Sequence, residues 1–276
     1  MKNKLFFAVL ISIFTFLYVN CPNQDAPAKE DNSSVWDATV DVKVGSSVTE
    51  VNLKNLDKVQ FNGMESVRLT RIVEVIALEK PWRYVYNFIS NDNFDPLTKL
   101  GNDIAQLPVY GELDYGYLCY DSSDDYFRIY WDKALNFSGK LSVKNMNYGT
   151  INVIEAPLES LIVHTPSFRV NVDYSDMTRD NVVDYKHPDD GAVPMLSVVS
   201  IFEKGGITDA ASCSFKIYGE DGFSNSDDNL MPYINMEHAY LKLSDSRITF
   251  ADESYDTTAC CWRIKNTVYI KGINAQ

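Results

Sequence analysis

Residues 213–223 read CSFKIYGEDGF, and residues 84–94 read YVYNFISNDNF. Each alternates apolar and polar side chains, the two-residue period of a strand with one buried face, and then meets an acidic turn. Asp92-Asn93-Phe94 in one corresponds to Asp221-Gly222-Phe223 in the other. Asn and Gly tolerate a positive φ, so the middle position of that turn is predicted to need one. The same pattern with the same ending, met twice, points to an internal repeat.

Working outward, further landmarks follow in the same order. Tyr115-Gly116-Tyr117-Leu118 matches His238-Ala239-Tyr240-Leu241, and Arg128-Ile129-Tyr130-Trp131 matches Arg247-Ile248-Thr249-Phe250. Val143-Lys144-Asn145 and Ile264-Lys265-Asn266 lead into the alternating segments TINVI (150–154) and TVYIKGI (267–273). Upstream of the acidic turn, each half holds a glycine and an apolar run, GMESVRLTRIVEVIA (63–77) and GAVPMLSVVSIFEK (191–204). In the first run Val67, Ile72, Val75 and Ile76 can share one helical face, which predicts a covering helix. Each half is expected to open with a strand, ATVDVKV (38–44) and FRVNVDY (168–174). The expectation is an α+β fold of two tandem homologous units, 36–158 and 165–276, joined near APLESLIVHTP (156–166). Each unit would be a mixed β-sheet with short covering helices.

The segments RLTRIVEVI, NFISNDNF, RIYWD and LSVKN in the first unit, and SVVSIFEK, KIYGEDGF, RITFAD and WRIKN in the second, carry a resemblance. Their order is similar to that of the sulfite-oxidase-like molybdopterin-binding domain. The resemblance implies that family's α+β core and, in its enzymes, a molybdenum held by a pterin and one cysteine upstream of the acidic turn. Here residues 22–118 contain no cysteine, Cys213 stands at the start of the strand entering the turn, and His164, His187 and His238 are scattered. The resemblance therefore implies a fold without the metal chemistry, and no cofactor, metal ligand or catalytic residue is assigned.

The N-terminus predicts export. Lys2 and Lys4 precede the uncharged run LFFAVLISIFTFLYV (5–19), which is shorter than a comfortable membrane span and has the layout of a signal peptide. It ends at LYVNC, which resembles a relaxed bacterial lipobox, so Cys21 is the expected lipidation site, carrying palmitate-type acyl chains. Residues 1–20 then form the signal peptide and 21–35 a polar, lipid-anchored flexible tether. The expected location is the cell envelope, at the outer membrane or surface more than the inner membrane. The net charge of −13, with no basic patch, argues against nucleic acid as a partner.

Export also favours disulfides. Adjacent Cys260 and Cys261 can hardly bond each other, so Cys213 with Cys260 or Cys261 is the candidate bridge, against buried reduced thiols acting as small hydrophobes. DSSDD (121–125), HPDDG (187–191) and SNSDD (224–228) could offer oxygens to calcium, but none matches a twelve-residue calcium loop. Tyr115, Tyr117, Tyr120 and Trp131 form the candidate binding surface for protein or carbohydrate. No nucleophile elbow, P-loop, dinucleotide fingerprint or zinc motif occurs. The sequence points to a non-catalytic module that binds an envelope or extracellular protein or a small ligand. A molybdopterin-type oxidoreductase and a calcium-dependent adhesin are the alternatives.

Overall fold

Gly63 and Gly191, at φ of 79° and 68°, turn the chain back on itself instead of starting a helix. Residues that follow each of them extend as strands, and only then does a short helix begin. The computed structural model describes residues 34–135, 137–256 and 262–275.

In chain order, β1 (Thr39–Val44) and β2 (Ser47–Asn52) form a hairpin. A second hairpin follows from β3 (Val59–Phe61) and β4 (Met64–Arg68), leading into helix α1 (Leu69–Glu74). Then come β5 (Tyr84–Ile89), α2 (Pro96–Lys99), β6 (Gly116–Asp121), β7 (Tyr126–Trp131) and β8 (Thr150–Glu155). The chain continues with β9 (Ser160–His164), β10 (Arg169–Asp173), β11 (Asp180–Val183) and β12 (Ala192–Ser197). It ends with α3 (Val198–Lys204), β13 (Cys213–Gly219), β14 (Met231–Pro232), α4 (Tyr233–Met236), β15 (Ala239–Lys242), β16 (Arg247–Phe250) and β17 (Thr267–Asn274).

These strands make four sheets, ordered β2-β1-β8-β5, β3-β4-β6-β7, β10-β9-β17-β13-β14 and β11-β12-β15-β16. In the first and third, one parallel pair, β1 with β8 and β9 with β17, sits among antiparallel neighbours. One apolar core lies between the first two sheets, joining Val40, Phe88 and Ile151 to Val67, Leu118 and Ile129. Another lies between the last two, joining Leu161, Phe215 and Ile270 to Leu196, Leu241 and Ile248. A third cluster, with Val85, Ile162 and Tyr269, seals the backs of the first and third sheets against each other. Alternation explains how one strand serves two cores: in β5, Tyr86 and Phe88 face the first core while Val85 faces the seam.

The α+β expectation is therefore corrected. The fold is mostly β, its described helices are four to seven residues long, and Val35 onward forms one compact unit, so two tandem α+β units are not shown. The run 63–77 was expected to be a helix. Its first part, Met64–Arg68, is instead a strand paired with β6, because Gly63 permits a tight hairpin turn. The supposed joint APLESLIVHTP contains β9, a buried inner strand with register Tyr269↔Ile162 to β17. Three consecutive apolar residues, Leu161, Ile162 and Val163, are what a strand buried on both faces requires.

Candidate functional site

The seam gathers a cluster of buried charged and polar groups. Register places Arg169 of β10 opposite His164 of β9, and both side chains point away from the second core into the seam. Tyr269 of β17 reaches the same place, since it pairs with Ile162 two positions before His164. Across the seam, a 3-10 turn over Tyr110–Tyr115 delivers Glu112, whose carboxylate accepts from its own Val109 N–H at 2.9 Å.

The guanidinium of Arg169 is saturated. Its Nη1 and Nη2 donate to the two oxygens of Glu112 at 2.6 and 2.8 Å, and Nη2 also donates to Leu107 C=O at 2.7 Å. Nε donates to Ala105 C=O. Burial alone would raise the Glu112 carboxyl, but the Arg169 charge and the His164 contact outweigh it and hold the pKa at about 2. Burial drives the Tyr269 phenol well above its ordinary value.

His164 Nδ1 lies 3.1 Å from Arg169 Nη1 and 3.0 Å from the Tyr269 hydroxyl. The same Nδ1 lies 3.5 Å from Glu112 Oε1, so one ring nitrogen meets a guanidinium, a phenol and a carboxylate. His164 lines a cleft of about 250 Å³ at the turn between β9 and β10, with Phe137, Phe168, Gln106 and Ser138 among its walls. The cleft thus brings an imidazole, two phenyl rings and two uncharged polar side chains together. A second seam cleft, about 200 Å³, is lined by Arg83, Glu220, Tyr174, Ser246 and Asn266. Glu220 there binds Lys80 Nζ at 2.9 Å and accepts from Asn266 at 2.8 Å.

The residues singled out from sequence are dispersed. Tyr117 lies on the outer face of the second sheet, and Tyr115, 48% exposed, sits on the turn before it. Tyr120 and Trp131 lean toward the first core instead. Tyr120 donates to Asp125 at 2.6 Å, and Trp131 Nε1 donates to Leu141 C=O at 2.8 Å. These four side chains do not form one surface, because adjacent strand positions point to opposite faces.

Cys213 is a free, buried thiol whose Sγ lies 3.5 Å from Asp209 C=O. Burial pushes it and Cys119 upward, so both stay protonated at neutral pH. Cys21, Cys260 and Cys261 lie outside the described residues. Carboxylates in the acidic loops are engaged locally: Asp121 with Ser123, Asp124 with Tyr126, Asp190 with Lys242 and Asp227 with Lys216. Among the described residues, no group of three or more His, Cys, Asp or Glu is placed to share a metal ion.

Sequence reasoning missed the seam tetrad. Glu112, the hairpin pair His164 and Arg169, and Tyr269 come from three separate parts of the chain, and no local spacing connects them. No family model, curated protein or solved structure matches the chain.

Proposed function

We propose that the protein is a lipid-anchored component of the cell envelope that binds a small ligand or a partner protein without transforming it. The basic start, the apolar run and Cys21 support the anchor. Among the described residues no helix is long and apolar enough to cross a membrane. The observation that carries the binding reading is the cleft beside the β9–β10 turn, where His164, anchored by Arg169 and Tyr269, lies among Phe137, Phe168, Gln106 and Ser138. A few fixed polar groups on an apolar wall are what a small-ligand site requires. Phe137 and Phe168 supply apolar walls for the body of that ligand.

The test is a thermal-shift survey of the full-length protein against small carboxylates, ketones and sugars. A stabilising compound should lose its effect in His164→Ala and be recovered unchanged. Turnover of the compound would overturn the non-catalytic reading. Palmitate labelling of the wild type but not of Cys21→Ser is expected; equal labelling of both would remove the anchor.

A further inference from the structure

The outer face of sheet β3-β4-β6-β7 carries a layer of rings and arginines that belongs to neither core. Register sets Arg68, Tyr117 and Tyr130 in one row across β4, β6 and β7, with Ser66, Cys119 and Arg128 in the next. Phe61 of β3 stacks on Tyr117 with centroids 4.0 Å apart and planes 14° from parallel. The Arg128 guanidinium sits 5.0 Å from the Tyr130 ring, and that of Arg68 sits 5.8 Å from Tyr117.

These arginines are unusual for this chain. It has 38 acidic and 25 basic residues, yet neither Arg68 nor Arg128 forms an ion pair among the described residues. Arg68 makes one long hydrogen bond, 3.5 Å to Asp114 C=O, and Arg128 Nε is buried with no acceptor. A guanidinium without a carboxylate partner beside aromatic rings matches a ligand that carries carboxylates on a body with an apolar side. Ring edges pack the C–H side of a pyranose, while the outer guanidinium nitrogens take its carboxylate.

We propose that this face binds an anionic polysaccharide of uronic-acid units, its sugars resting on the outer edges of the Phe61–Tyr117 stack and of Tyr130 and its carboxylates on Arg68 and the Nη end of Arg128. An acidic peptide fits less well, because a sheet face exposes side chains and no main-chain groups for an extended strand to join. The proposal is independent of the seam cleft.

Isothermal titration of the full-length protein with oligogalacturonate at low salt tests it, against dextran, polyglutamate and single-stranded oligothymidylate. Oligogalacturonate should bind and dextran should not. Arg68→Gln and Arg128→Gln should each weaken binding about tenfold, the size of one charge-assisted hydrogen bond. Tyr117→Phe should retain binding and Tyr117→Ala lose it. Should Tyr117→Ala fail to fold, the arginine variants decide alone. No binding, equal binding of dextran, tighter binding of polyglutamate or oligothymidylate, or affinity unchanged in both arginine variants would overturn the proposal.

Discussion

Sheets β3-β4-β6-β7 and β11-β12-β15-β16 share a strand order but cover their outer faces differently. In the first, the row Arg68–Tyr117–Tyr130 is half-open, and neither Arg68 nor Arg128 of the next row has an ion-pair partner among the described residues. In the second, the matching row is Ser197–Tyr240–Thr249, and Thr249 is fully buried. Arg263 covers it, donating to Thr249 at 2.6 Å and to Asp184 at 2.5 Å, with the Tyr185 ring 5.6 Å from its guanidinium. The closing segments place Val143 C=O on Ile129 N–H and Ile264 C=O on Ile248 N–H, so Arg263 corresponds to Ser142. A serine cannot reach across the sheet. Sheets of one strand order therefore carry a sealed face where an arginine meets a buried aspartate, and an open one where it does not.

Breaking the seal gives the largest expected effect. Asp184→Ala leaves the Arg263 side chain, 7% exposed, without its partner and should cost about 3–5 kcal/mol in urea unfolding. A loss as small as at an ordinary surface site would show that the cover does not depend on this pair. Burial raises the Asp184 carboxyl, but hydrogen bonds from Arg263 and Thr249 outweigh it and lower its pKa below 3.8. Its stabilisation is complete above that ordinary value and disappears as pH falls through the folded one.

Next in size is the seam pair, which supplies a second acid-sensitive element. Glu112 titrates at about 2 in the folded protein against 4.5 for a free glutamate. Its contribution is present above 4.5 and should fade as pH drops toward 2, a change on the order of 3 kcal/mol. Glu112→Gln should be less stable at neutral pH and should flatten that part of the acid-unfolding curve. An unaltered acid limb would assign the transition to other carboxylates.

Smaller effects are expected on the open face. The coupling of Phe61 and Tyr117 in a double-mutant cycle should be about 0.5–1.5 kcal/mol. Arg68→Gln with Arg128→Gln should change stability by no more than about 0.5 kcal/mol, since neither side chain holds an ion pair. Measured beside Arg263→Gln, which should be far more damaging, that double variant puts the two faces on one scale.

Much of the strand pattern was legible. Segments 38–44, 84–94, 150–154, 168–174, 213–223 and 267–273 all contain strands, because period-two alternation is a local property. The acidic turns also behave as their residues require, with Asn93 at φ 64° and Gly222 at φ 90°. The failures share a cause. Val67 and Ile72 fit one helical face, but Val67 belongs to a strand pairing with Leu118 some fifty residues away, and no local period reveals a distant partner. SLIVH was read as a joint because a strand buried on both faces shows no alternation. The site was almost illegible: Tyr117, Tyr120 and Trp131 were grouped by closeness in the chain, but Tyr120 and Trp131 turn inward, and the Glu112–Arg169 pair depends on sheets packing back to back.

The parallel pairings carry a consequence for how the chain is made. β17 lies between β9 and β13, and β8 lies between β1 and β5, so each of these sheets is completed by its last strand to be synthesised. Until residues 267–274 emerge, β9 and β13 have no common neighbour, and their inner edges stay open to any other strand in solution. Those two edges must therefore be kept from competing strands until the last strand arrives. A late-closing topology of this kind also slows folding, because distant segments must meet before the sheet is complete.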